Sequence, residues 1–504
     1  MTETSLEEFL EWGSTRAVTP VVRRLFADSE TPMGLYRKLS RGPGSFLLES
    51  ADQGGKWSRY SFLGVSIHGV LAQDGSRSVW RDHGMSGADA FGSVVPENPL
   101  EALEVLHRRW LSDPLPDLPP FAGGLVGHIG WEAVRLVEHL PSPPPASHEV
   151  PAMHLALVRD FVAFDHHSSE VVLVALTHTL EEVGESEYRD ARARLDLMHE
   201  ALTQPTSSTL HQKTEPVEEA PRPSLDEAQF FDMVARAQQH IEDGDVFQVV
   251  LSQQFEFHVD ASPLEVYRVL RSVNPSPYMY LLECEDSGGN TYHVVGSSPE
   301  ALVTLQRGKV YSHPIAGSRP RGVSVEEDHA FAEALLGDTK EQAEHLMLVD
   351  LARNDLSKVC TPGTVDVTEF MQVERFSHIM HLVSSVEGDL SPNRSAVDVF
   401  RATFPAGTLS GAPKPRALEI IDDLEPTQRG VYGGVVGYFG HTGDADLAIT
   451  IRTVWMQESR AIVQAGAGIV ADSDPTSEYR ETIHKASAPA RAIRIANALE
   501  PDQR

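Results

Sequence analysis

Cysteine is scarce: Cys284 and Cys360 are the only two in 504 residues. Two thiols cannot build a disulfide scaffold, which fits a reducing compartment. Positive charge is also short. Lys and Arg number 42 against 73 Asp and Glu, for a formal net charge of −31. A surface of that sign repels phosphate backbones and anionic lipid, so neither nucleic-acid nor membrane binding is expected. No apolar run approaches the roughly 20 residues that span a bilayer. The start, Met-Thr-Glu-Thr-Ser-Leu-Glu-Glu, is acidic and lacks the apolar stretch of an export signal. These absences predict a soluble, cytoplasmic protein. Also missing are a Walker loop, a nucleophile elbow and a convincing Rossmann fingerprint. His378-Ile-Met-His381 places two histidines three apart but has no glutamate base between them, so it is not a zinc signature.

The chain does have material for a core, at 41% hydrophobic residues. Its length allows two or three ordinary domains or one large merged one. The clearest break is residues 203–224, rich in Pro, Ser, Thr and Glu, which reads as a surface linker between an N-terminal region, 1–202, and a C-terminal region, 225–504. Short β-rich runs recur on both sides, with tight Gly turns and imperfect alternation. They predict an α+β protein with large antiparallel sheets packed as a sandwich and helices outside. Asp446–Met456 reads as one strand, and Pro475–Leu499 as a helix that Pro489 should kink or interrupt. Gly123-Gly-Leu-Val-Gly127 echoes Gly433-Gly-Val-Val-Gly437, too briefly to establish a repeat.

Two segments carry candidate chemistry. In each, residues i, i+3 and i+7 of a probable helix share a face. Glu341, Glu344 and Leu348 line one stripe; Glu478, Glu481 and Lys485 line another. Facing each other, two such stripes would suit Mg²⁺, which takes a few carboxylates, retains waters and accepts an anionic ligand from a substrate. The same residues equally fit capped, solvated helix faces: Asp338-Thr-Lys-Glu341 resembles a capping box and Asp474-Pro475 an N-cap with proline at N1. Gly466-Ala467-Gly468 sits between a strand and a helix, where small residues let backbone N–H groups approach an anion; a plain turn has the same pattern. Arg452 could grip a carboxylate bidentately or simply face outward from a strand.

Taken in order along nearly the whole chain, the motifs resemble those of the chorismate-utilising enzymes, most closely the large, component I subunits of anthranilate synthases. They are Leu47-Leu-Glu-Ser50, Gly244 to Gln253, Asn274-Pro-Ser-Pro-Tyr-Met279, Gly296-Ser-Ser-Pro-Glu300, Pro314-Ile-Ala-Gly-Ser-Arg319, the Glu341/Glu344 helix with Leu351-Ala-Arg-Asn-Asp355, Met380-His-Leu382, Pro405 to Lys414, Tyr432-Gly-Gly434, Ile451-Arg-Thr453 and Gly466 to Lys485. The resemblance implies that Glu344 and Glu481 are direct Mg²⁺ ligands and that Glu341 and Glu478 act through metal-bound water. The Gly466–Ala467–Gly468 backbone and Lys485 would help hold the ring carboxylate of chorismate, Tyr432 and Arg452 would grip its enolpyruvyl carboxylate, and Thr408 would line the pocket. Glu300 would be the general acid for the departing C4 hydroxyl, with its pKa raised by burial. His381 matches the histidine tied to pyruvate elimination.

Two positions separate this chain from related enzymes. Isochorismate and salicylate synthases carry a water-activating lysine at the place of Gln248, and many aminodeoxychorismate synthases carry a lysine at the place of Ala316. An amide is a poor base, and alanine has no amine to attack C2. Both differences favour attack of ammonia at C2, giving 2-amino-2-deoxyisochorismate and then anthranilate and pyruvate. Neither cysteine has the setting of a glutaminase nucleophile. The ammonia is therefore expected from a glutamine amidotransferase subunit (component II), assembled as a heterotetramer, with free ammonium as a substitute. The resemblance also implies a tryptophan feedback site at Leu48, Glu49, Ser50, Lys56, Asn274, Pro277, Tyr278 and Met279. The competing readings are a synthase that stops at 2-amino-2-deoxyisochorismate, one that aminates C4, and a non-catalytic tryptophan-sensing subunit.

Overall fold

A computed structural model describes residues 3–40, 42–51, 59–140, 142–206, 211–213, 221–375 and 379–501. Alternation along its strands explains the architecture. In Glu170–His178, Val172, Val174 and Leu176 enter one apolar core, while Val171, Leu173 and Ala175 enter another. A strand buried on both faces reads as a continuous apolar run, which is why the sequence alternates so imperfectly. The inner core takes Leu251, Leu282 and Trp455 from one part of the sheet and Val303, Val435 and Leu447 from another. The outer core is covered by helices, among them Leu6–Gly13, Pro32–Leu39, Glu185–Thr203, Pro263–Val273 and Pro475–Asn497, which contribute Phe9, Leu35, Leu195, Tyr267 and Ile493.

The sheet has two branches, and its strand pairings are antiparallel. The first runs from Gln248–His258 through Arg460–Ile469, Thr453–Gln457, Thr291–Ser298, Tyr278–Glu285 and Phe46–Glu49 to Tyr60–Asp74. The second runs from Met153–Asp165 through Gly124–Ile129, Val435–Gly440, Ala445–Ile449, Ala301–Gln306 and Lys309–Ser312 to Ile379–Asp389. Tyr60–Asp74 and Met153–Asp165 join the branches, and their mutual register shifts between Gly64 and Gly69. Such irregularities bend a strand strongly and let one strand serve two sheets. The expected α+β architecture is thus present, and strands from either side of residues 203–224 pair directly, 46–49 with 278–285 and 124–129 with 435–440. The two glycine echoes turn out to be ladder partners, Gly127 opposite Gly437.

Two local expectations need correction. Of the kink or interruption expected at Pro489, the interruption does not occur: the Pro475–Asn497 helix is continuous there. Pro489 is buried, as are Ala486, Ala490, Ala492 and Ile493 around it, so packing of the flanking turns against the outer core outweighs the missing N–H. The single strand read over Asp446–Met456 is two, Ala445–Ile449 and Thr453–Gln457, because the chain changes branch between them. Among the described residues no helix is long and apolar enough to cross a membrane.

A buried ion pair ties the inner layers together. Arg429 and Glu425 meet at 2.6 Å, with side chains 1% and 2% exposed. Arg429 also donates to the carbonyls of Leu409 and Val250, and lies 4.1 Å above the Trp131 ring. Glu425 accepts from the backbone and hydroxyl of Ser252. Glu425→Ala would strand a buried guanidinium and should cost about 3–5 kcal/mol. The exposed pair Lys340–Asp472, 3.5 Å apart, should give under about 1 kcal/mol on Lys340→Ala. Chemical denaturation of both variants tests this; equal losses would contradict it.

Candidate active site

The site forms where the chain crosses between branches. Thr291–Ser298 belongs to the first branch and Ala301–Gln306 to the second, so Glu300 sits on the crossing. The return crossing, from Ala445–Ile449 to Thr453–Gln457, carries Arg452. Backbone bonds knit the two: Ile449 N–H to the Glu300 carbonyl at 2.9 Å, and Ser297 N–H to the Arg452 carbonyl at 3.3 Å. Arg452 takes a left-handed φ of 53°, unusual for a residue with a side chain. Thr408 donates to Glu300 Oε1 at 3.1 Å, and both line a cavity with Leu348 and Leu351 of the Thr339–Ser357 helix. Burial raises the Glu300 pKa to about 7, against the lowering effects of Thr408 and Lys485. Near neutrality this carboxyl therefore carries a transferable proton. His381 donates from Nδ1 to the Gly317 carbonyl at 2.8 Å, which fixes its tautomer, and burial lowers its pKa. Burial likewise raises the Tyr432 phenol pKa and lowers that of Arg452.

Gly466 is a glycine for steric reasons, whereas at Gly468 the near atom is the movable end of a side chain. A Cβ on Gly466 would stand 2.8 Å from the Leu251 carbonyl and 2.9 Å from Tyr432 Oη; one on Gly468 would stand 2.6 Å from Gln248 Nε2. Gln248 and Tyr432 are thereby placed against this backbone. The segment differs from expectation in one respect. It lies inside the Arg460–Ile469 strand, paired with 248–258, and the next helix begins only at Pro475. Ala467 is fully buried in the inner core, leaving only its backbone to serve a ligand. Lys485 reaches back from the helix to donate to the Gly466 carbonyl at 3.0 Å and pairs with Glu481 at 2.6 Å.

Both predicted caps form. Asp338 accepts from the N–H groups of Lys340 and Glu341, and Asp474 from that of Ser477. They start the two helices whose stripes bring four carboxylates toward each other. Glu344 has a raised pKa, from burial first and then from Glu341 and Glu481; Glu478 is raised by burial and by Glu481, opposed by a hydrogen bond from Ser473. Negative charge is thus concentrated between the helices, only partly offset by Lys485 and by Arg319. Arg319, unassigned from sequence, forks between Asp338 at 2.7 Å and Glu341 at 3.3 Å. Its signal was present as the charged residue closing the Pro314–Arg319 motif. Among the described residues no three His, Cys, Asp or Glu side chains converge tightly enough to hold a metal ion by themselves. Two carboxylates with waters and a ligand anion would still satisfy Mg²⁺, so the donor set fits that ion.

The candidate tryptophan residues lie around the pairing of 46–49 with 278–285, Met279 opposite Glu49 and Tyr280 opposite Leu48. Alternation separates their side chains. Glu49 is held by Tyr267 and Ser61 and approached by Arg271 at 3.4 Å, near the outer core that contains Met279. Leu48 packs against the inner core, and the Tyr278 hydroxyl donates to Asp446 at 3.1 Å. Among the described residues Ser50 Oγ is buried without a hydrogen-bond partner, Pro277 is half-buried, and Asn274 donates to Ser297 at 2.7 Å. Lys56 lies outside the described residues. Tyr267 and Arg271, absent from the sequence reading, sit four apart on one helix face, a spacing that could have found them.

Proteins with this fold are known. The chain belongs to the family of chorismate binding enzymes, whose family model matches residues 68–491. Within that family several curated relatives carry one name. Anthranilate synthase component 1 of Arthrobacter globiformis is 50% identical over 502 residues, covering 98% of this chain and 93% of its own length. The Mycolicibacterium smegmatis protein of that name is 46% identical over 501 residues, covering 98% and 94%. The crystal structure of anthranilate synthase component I from Streptococcus pneumoniae superposes with a TM-score of 0.75 at 36% identity, over 86% of this chain and 92% of that one. The menaquinone-specific isochorismate synthase of Escherichia coli shares the fold, with a TM-score of 0.69 at 18% identity over 97% and 98% of the two chains.

Because the Glu300 pKa rises from 4.5 to about 7 on folding, the folded state holds its proton more tightly than the unfolded chain. Its contribution to stability falls as pH rises through that interval, since a buried carboxylate must then ionise. Glu300→Gln should therefore gain thermal stability relative to the parent between about pH 5 and about pH 8. A melting difference that stays constant across that range would refute the assignment.

Proposed function

We propose that this chain forms anthranilate from chorismate and ammonia, the observation carrying the proposal being the Glu300 carboxyl, half-buried where the two branches cross, hydrogen-bonded by Thr408 and raised in pKa to about 7. Glu300 gives its proton to the leaving C4 hydroxyl, released as water, while ammonia bonds to C2. Loss of the C2 proton and of the enolpyruvyl group as pyruvate then aromatises the ring, with His381 serving the elimination. Arg452 and Tyr432 hold the enolpyruvyl carboxylate; Lys485 and the Gly466–Gly468 backbone face the ring carboxylate. The Gln248 amide, packed on Gly468, is a poor base for activating water, and Ala316 offers no amine. Both support ammonia as the nucleophile.

Glu344 and Glu481 would hold Mg²⁺ directly, with Glu341 and Glu478 behind them through water. When bound, the ion supplies positive charge that neutralises and orients the ring carboxylate. The ammonia comes from a separate glutaminase subunit. In support, Cys284 and Cys360 are both buried, and burial pushes the Cys360 thiol up to about 11 and the Cys284 thiol higher, the wrong direction for a nucleophile. Tryptophan, bound around Glu49, Ser50 and Met279, is the feedback inhibitor, and the buried Ser50 Oγ, which has no partner among the described residues, supports a polar ligand there.

The test is anthranilate fluorescence from the purified chain with chorismate, ammonium and Mg²⁺ at mildly alkaline pH. A signal that requires Mg²⁺ is expected; Glu478→Gln should raise the Mg²⁺ requirement about 10- to 100-fold, and Glu481→Gln should raise it further. Chorismate consumed without anthranilate would instead indicate an amination that stops early or attacks C4; no consumption would favour a sensor subunit. Tryptophan inhibition implies reciprocal coupling, so chorismate should weaken tryptophan binding by the same factor that tryptophan weakens chorismate binding. Independent affinities measured by calorimetry would rule the feedback site out.

A further inference from the structure

We infer that Ser297 and Asn274 are positioning residues for Arg452, acting through one hydrogen bond that fixes the corner from which the guanidinium projects. The inference deepens the reading above, since it takes Arg452 as the grip on the substrate's enolpyruvyl carboxylate.

Arg452 stands between two ladders. The first-branch pairing reaches it at Gly296 opposite Thr453, and the second-branch pairing ends at Ile449. One residue beyond the first ladder, Ser297 N–H donates to the Arg452 carbonyl at 3.3 Å. A left-handed residue with a side chain persists only where its surroundings hold it, and Arg452 has a φ of 53°. The Ser297 backbone is therefore part of what keeps Arg452 in place. Ser297 is fully buried, and its hydroxyl accepts from Asn274 Nδ2 at 2.7 Å. Asn274 is itself anchored: it ends the Pro263–Val273 helix, its N–H bonded to the Leu270 carbonyl at 2.9 Å. That helix buries Val266, Tyr267, Val269 and Leu270 in the outer core. A rigid helix end thus holds Ser297, and Ser297 holds the Arg452 backbone. The same strand leads three residues on to Glu300, so the tie acts at the junction of both crossings.

A substrate-gripping arginine acts in the ground state and the transition state alike, so loosening it should raise KM more than it lowers kcat. The experiment compares the full-length wild-type chain with Ser297→Ala, Asn274→Ala and the double variant. Chorismate affinity by calorimetry is read beside steady-state kinetics and thermal midpoints. Each alanine variant should weaken chorismate binding and raise KM about tenfold, with kcat within about threefold. The double variant should be no worse than the weaker single one, because both changes delete the same bond. Wild-type chain that does not bind chorismate would overturn the functional reading itself. Wild-type binding with unchanged affinity and KM in both alanine variants, even with lowered melting temperatures, would overturn the positioning role alone.

Discussion

The Arg429–Glu425 pair is the constraint on which the site depends. Burying two charges is expensive unless every donor and acceptor finds a partner. Here the partners are structural junctions: the Val250 carbonyl and Ser252 of the strand that begins at Gln248, the Leu409 carbonyl beside Thr408, and the Trp131 ring from the N-terminal region. The Arg429 guanidinium also lies 5.6 Å over the Tyr432 ring. Groups brought to the candidate site by separate segments are thereby referred to one rigid point. In a low-dielectric interior such a network is stiff because leaving any member unpaired is so costly.

The second theme is how a protein of net charge −31 handles an anion. It does so by sorting its carboxyls. Glu300, beside Thr408, has its pKa raised to about 7 by burial, whereas Glu481 is paired with Lys485 and Glu341 with Arg319. The remaining mutual repulsion on Glu344 and Glu478 marks where added positive charge would be most favoured. One residue type thus supplies an acid, cation partners and a candidate metal site, distinguished by surroundings alone.

Much of this was legible in the sequence because its signals are local. Asp338 and Asp474 announce their helices, and the i, i+3 glutamates follow from helical geometry. Family motifs named most of the site residues. What stayed hidden depends on contacts distant in sequence. Arg452 looks like one residue of an unbroken strand, and only the change of branch at Thr450–Arg452 turns it into a corner. Ala467 looks like part of an anion cradle, yet its side chain belongs to the core. Pro489 looks like a break until the packing of its neighbours is known. Arg319 could be seen as charged, but its fork onto Asp338 and Glu341 needs the fold.

The two branches share strands in a way that bears on how the chain must be made. Phe46–Glu49 and Gly124–Ile129 each find one neighbour within the first 165 residues, but their other neighbours are Tyr278–Glu285 and Val435–Gly440. During synthesis the early region therefore leaves the ribosome with two open strand edges, and the second is covered only when most of the polypeptide has been translated. Open edges invite pairing with the wrong partner. A nascent chain of this architecture would have good reason to be escorted by a chaperone until its final third arrives.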